Sequence, residues 1–93
     1  MQENVIEKRL RREAKKYGGM AVKFVSPGLD GVPDRLVLLP GGKCGFVELK
    51  APGKKLRPLQ EKRKKQLELL GFAVYCIDRI EQIGGVLDEI QTP

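Results

Sequence analysis

Histidine and tryptophan are absent from this sequence, and cysteine occurs only as Cys44 and Cys76. Without histidine there is no Ser-His or Cys-His nucleophile and no imidazole base. Two thiols alone cannot complete a usual structural zinc site, which takes four cysteine or histidine ligands. With no secretory segment in view, the two cysteines are expected as buried free thiols rather than a disulfide. No apolar run approaches the roughly 20 residues that span a bilayer, and the first segment has no uninterrupted apolar stretch. A membrane is therefore not expected as a partner, and the cytoplasm is the expected compartment. Aromatic residues make up only 5% of the chain and mostly occupy core-like positions, so stacking on single-stranded bases has little support. Any catalysis must rest on carboxylates, lysine and a hard metal ion.

What is present suits one small folded domain covering 1–93, with 41% hydrophobic and 32% charged residues. A chain this short buries only about two-thirds of its unfolded surface, so its core is small. The net charge is +6 and unevenly spread. Lys8, Arg9, Arg11, Arg12, Lys15 and Lys16 crowd the first segment; a second basic cluster runs from Lys50 to Lys65. Residues 78–93 carry four acids against Arg79 alone, a net −3, which leaves +9 on the rest. Two basic clusters on a small domain point to a polyanion, because each cation set near a phosphate releases counterions. A solvated basic surface is the plain alternative.

Ile6, Leu10, Ala14 and Tyr17 recur with helical spacing and predict an amphipathic helix over 3–17, stopped by Gly18-Gly19. Met20–Val25 is strand-like, and 27–33 (PGLDGVP) is a loop. Residues 34–39 and 44–50 form a hairpin about Pro40-Gly41-Gly42. Pro58–Leu70 is helical, but its stripe of Leu59, Leu67 and Leu70 is poor. Residues 72–77 make a buried strand, and Ile80, Ile83, Leu87 and Ile90 a last helix weakened by Gly84-Gly85. The expected architecture is α/β, in the order α-β-β-β-α-β-α, with a small mixed sheet closed by a βαβ crossover.

On this map Asp34 opens the first hairpin strand, while Glu48 and Lys50 share one face of the second. The hairpin turn returns the end of strand 44–50 to Asp34. Two carboxylates and an amine at one place repel unless something compensates, and a divalent cation with oxygen ligands would do so. Read by spacing alone, Glu48 and Lys50 also fit an exposed charge pair, and Asp34 a turn residue.

Asp34, followed by Glu48-Leu49-Lys50, resembles the PD-(D/E)XK nuclease signature, with Pro33-Asp34 as its PD. The wider string, GVPDR at 31–35, FVELK at 46–50 and Leu59-Gln60, is similar to the VRR-NUC branch and its small stand-alone viral members. The resemblance implies a restriction-endonuclease-like domain with Asp34, Glu48 and the backbone carbonyl of Leu49 on Mg²⁺ or Mn²⁺. It implies Lys50 as the catalytic lysine, and Gln60 as a residue orienting water or Lys50. Related Holliday junction resolvases carry Glu-x-x-Leu on the first helix, which Glu7-Lys8-Arg9-Leu10 fits; Glu3, one turn earlier, is the second choice.

The expected function is a metal-dependent endonuclease cutting branched DNA, a Holliday junction or flap, as a homodimer. For a viral protein the compartment is the cytoplasm of a bacterial host. Lys54, Lys55 and Arg57 follow the motif lysine where a phosphate backbone would pass. Arg35 is either part of that site or a structural partner of a nearby carboxylate. The second and last helices are the candidate dimer surfaces. The alternative is a module that binds branched DNA for a partner enzyme without cutting; RNA or an acidic membrane has only net charge in its favour.

Overall fold

The computed structural model describes residues 2–92. Helix α1 (Glu3–Lys16) buries Ile6, Leu10 and Ala14, the line that its 3.6-residue period puts on one side. Strands β1 (Met20–Lys23), β2 (Arg35–Leu39) and β3 (Lys43–Leu49) follow, then α2 (Pro58–Leu69), β4 (Val74–Ile77), a 3₁₀ turn (Ile80–Gln82) and α3 (Ile83–Gln91). The sheet order is β1-β2-β3-β4, with β1, β2 and β3 antiparallel and β4 parallel to β3 across the α2 crossover. The expected α/β order and mixed sheet are observed. No helix among the described residues is long and apolar enough to cross a membrane.

Alternation along the strands divides the sheet into two unlike faces. Val37, Leu39, Val47, Leu49 and Ile77 point to one face, where α1 and α3 cover them and form the core. Phe46 and Glu48 point to the other, where Phe46 makes edge-to-face contacts with Phe24 and Phe72. These aromatics are half-buried or more exposed, not the core residues their pattern predicts. The cysteines are free as expected, but half-buried.

Other differences have local causes. Strands β1 and β4 are shorter than predicted, although Phe24 N–H still donates to the Asp34 carbonyl and Phe46 N–H to that of Ala73. Helix α3 runs through Gly84 and Gly85 with Ile83, Leu87 and Ile90 packed into the core, and Gln82 Oε1, accepting from the N–H groups of Asp78 and Arg79, caps the 3₁₀ turn that precedes it. Its stripe of Ile83, Leu87 and Ile90 is buried in this chain's own core, so α3 offers no apolar face to a second copy.

Two glycines test this packing in opposite directions. A Cβ on Gly19 would lie 2.1 Å from the Leu38 carbonyl oxygen, whereas one on Gly85 meets nothing within 4 Å. Gly19→Ala is expected to destabilise by about 2 kcal/mol or more. Gly85→Ala, inside a helix, should stabilise by about 0.5–1 kcal/mol, both read from urea unfolding midpoints.

Candidate active site

The hairpin register brings the predicted residues together. Arg35 pairs with Val47, so Asp34 stands beside Glu48 at the point where the β2–β3 ladder ends. There the Asp34 side chain takes over the ladder's role: its Oδ1 accepts from Leu49 N–H at 3.1 Å. Lys50 N–H turns the other way, to the Ile77 carbonyl. Within a strand a residue's N–H and C=O point to the same side, so the Leu49 carbonyl opens toward Asp34.

Glu48 is 7% exposed and held through one oxygen. Gln60 Nε2 donates to its Oε2 at 3.1 Å, and Lys50 Nζ stands 3.8 Å from the same atom. Gln60 thus meets Glu48 directly, at the same oxygen that Lys50 approaches. Its other end, Oε1, accepts from Arg57 N–H at 2.9 Å and satisfies one of the free donors at the start of α2. Gln60 is the buried residue of α2.

Burial raises the pKa of both carboxyl groups. For Asp34 the Leu49 N–H and Arg35 oppose that rise, and Glu3 adds to it. For Glu48 burial and the adjacent Asp34 charge outweigh Lys50 and push the pKa up to about 7.

The first helix contributes differently from expectation. Glu7 is not drawn to the carboxylate pair: its Oε2 lies 3.0 Å from Arg11 Nε and 3.7 Å from Arg35 Nε. Arg35 in turn donates from Nη1 to the Asp34 carbonyl at 2.8 Å and stands 3.6 Å from Asp34 Oδ2. The physical reason is alternation. Arg35 shares the side of β2 that faces α1, so Glu7 meets an arginine there while Glu48 projects from the opposite face. Buried Arg35 Nε has no hydrogen-bond partner among the described residues. The α1 charge felt at both Asp34 and Glu48 is that of Glu3. No cluster of three or more Asp, Glu, Cys or His side chains poised to hold a metal exists among the described residues.

Lys54, Lys55 and Arg57 are exposed on the loop that leaves Lys50, a loop fastened by Gly53 N–H donating to Asp78 Oδ2 at 3.2 Å. One contact had no reading in the sequence. Arg63, which looked like one more basic residue, donates from Nε to the Asp30 carbonyl at 2.7 Å. It clasps the loop before Asp34 to α2, next to Gly31, whose φ of +85° is open to glycine without strain. The only signal for it was that Arg63 interrupts the apolar stripe of its helix.

The raised pKa has a measurable consequence. The folded chain binds the Glu48 proton more tightly than the unfolded chain, so this group costs nothing below about pH 4.5. Stability is lost as pH rises through about 7. Metal-free Glu48→Gln should match wild type near pH 4.5 and exceed it by about 1–3 kcal/mol at pH 8, measured by urea unfolding.

Comparisons with known proteins bear on the family and the fold. No family model matches the chain. A protein of Acyrthosiphon pisum secondary endosymbiont phage 1, named "Putative nuclease p44", is 54% identical over 78 residues, which is 84% of each chain. A solved VRR_NUC domain superposes with a TM-score of 0.85 at 28% identity, covering 92% of this chain and 94% of that one. The chain belongs to the family of the phage p44 protein and is built on the VRR_NUC fold.

Proposed function

We propose that this protein is a metal-dependent endonuclease of the PD-(D/E)XK type that hydrolyses phosphodiester bonds in branched DNA, in the cytoplasm of a bacterial host. The observation that carries the reading is the pair of half-buried Asp34 and buried Glu48, held side by side with Lys50 against the second of them. The family supports it, since its phage member carries the name "Putative nuclease p44" and the superposing structure is a VRR_NUC domain.

The donor set fits Mg²⁺ or Mn²⁺. Two carboxylates that repel each other in a desolvated corner gain from a dication, and Mg²⁺ needs only one or two of them beside water and substrate phosphate. Asp34, Glu48 and the Leu49 carbonyl would hold the ion. When bound, it supplies a Lewis acid for the phosphoryl oxygen and lowers the pKa of water. Gln60 and Lys50 fix the rotamer of Glu48 through Oε2. Lys50 is placed to offset negative charge growing on the phosphate. Arg35 steadies Asp34 from behind, and Glu7 steadies Arg35, which makes Glu7 a positioning residue. Lys54, Lys55 and Arg57 bind the incoming backbone without reading sequence.

Pairing into a homodimer would set two such sites across a junction. The surface that suits it is the apolar hollow of about 460 Å³ lined by Leu29, Val32, Leu67, Leu69 and Leu70. Leu69 is 88% and Leu70 73% exposed, a solvation cost that a second copy would remove.

Labelled four-way junction, flap and linear duplex, incubated with Mg²⁺ or Mn²⁺, test the chemistry. Wild type should cut branched DNA preferentially, and Lys50→Ala, still folded, should cut at least about 10²-fold more slowly. Binding without cutting under either metal would instead favour a non-cleaving branched-DNA module. Solution mass tests the pairing: wild type should weigh twice 10.4 kDa, and Leu69→Asp/Leu70→Asp should weigh 10.4 kDa.

A further inference from the structure

Helix α1 separates its charges by sign. At about 100° per residue, Glu3, Glu7 and Glu13 lie on or beside the buried line of Ile6, Leu10 and Ala14. Lys8, Arg9, Arg11, Arg12, Lys15 and Lys16 fill the remaining outer arc of about 160°. A helix face kept soluble by charge mixes signs at i,i+4 spacing, so that each cation finds an anion. Here the outer arc holds none of the helix's acids. Arg11 reaches back to Glu7, and Lys16 and, at 4.0 Å, Arg12 to Glu13, whereas Lys8, Arg9 and Lys15 have no carboxylate partner among the described residues.

The surface beside this arc is concave. One hollow of about 290 Å³ runs between α1 and the edge strand, bordered by Lys8, Arg11, Arg12, Lys15, Met20 and Ala21. A second, of about 250 Å³, lies on the other side of Lys8 and Arg12 and reaches Ile80. Along the arc, Lys8 and Lys15 stand two turns apart, about 10 Å, which matches about three phosphates of one duplex strand. The arc begins about 8 Å from Glu3, the end of α1 whose charge reaches Asp34 and Glu48.

We propose that the outer face of α1 is a second binding site for the phosphodiester backbone of duplex DNA, on a different element from the loop of Lys54, Lys55 and Arg57. It takes its partner from the nuclease reading and adds a track that leads away from the carboxylate pair. A duplex arm lying along α1 would be held by phosphate contacts at Lys8, Arg12 and Lys15 while its scissile end reached Asp34 and Glu48.

The test is metal-free binding of a duplex and of a four-way junction across a salt series. It compares wild type with Lys8→Gln/Lys15→Gln and with Lys62→Gln/Lys65→Gln. The last pair removes the same charge from the side of α2 facing away from Gln60. Melting curves confirm that all three fold. The α1 variant is expected to bind about tenfold or more weakly near 0.1 M salt, with a slope of log K against log salt shallower by about 2. The α2 variant should keep the wild-type slope. Equal losses in both variants, or no loss in the α1 variant, overturn the proposal. So does acidic-phospholipid vesicle binding that the α1 variant loses while its DNA binding stays intact. Wild type cutting DNA beside an α1 variant that binds normally would sink this site and leave the nuclease standing. Wild type that binds through α1 but cuts nothing would do the reverse.

Discussion

Two like-charged carboxyl groups sit at the rim of a small apolar core, and the surrounding structure is arranged to keep them there. Asp34 and Glu48 meet because the β2–β3 ladder runs to its end at that point, so their separation is set by strand register rather than by loop conformation. Each has its own restraint. The Leu49 N–H holds Asp34, and Gln60 with Lys50 holds Glu48. Left alone in water, such a pair would swing apart; burial on rigid strands forces it to stay and to hold protons unusually tightly.

The sheet makes this affordable by dividing its two faces. One carries nearly all the buried apolar side chains, under α1 and α3, and supplies the stability of a chain too short for two cores. The other carries a partly exposed aromatic cluster, two half-buried thiols and the charged corner. Arg35 crosses between them. Its side chain lies on the α1 side with Glu7, yet its guanidinium reaches the main chain and carboxylate of Asp34. A metal-ligand candidate on one face is thereby steadied from the other.

The parts of this arrangement that local sequence encodes were legible. The α1 stripe, the turn at Pro40-Gly41-Gly42 and the two-residue step from Glu48 to Lys50 are short-range patterns, and together they place Asp34 beside Glu48. What depends on how elements seat against each other was not. Glu3 and Glu7 differ by one turn, and only the docking of α1 over β2 decides that Glu7 meets Arg35. Helix α3 looked frail because of Gly84-Gly85, yet a Cβ at Gly45 would run into Ile90, a closeness that spacing along the chain cannot reveal. Arg63 gave no sign of clasping Asp30 beyond its break in the apolar stripe, and Gln60, expected to orient water or Lys50, holds Glu48 and the start of its own helix.

Gln60 has a consequence for how such a protein can change over time. Helix α2 docks on the sheet through this one buried side chain, and everything beyond its first turn faces outward or is only half covered. Apart from Arg63, which clasps the loop before Asp34, substitutions along its outer length therefore leave the core untouched. The first turn has no such freedom, because one amide both begins the helix and restrains a carboxylate of the reactive corner. What this helix presents outward, in charge or in apolar surface, is thereby separable from the carboxylate corner beneath it.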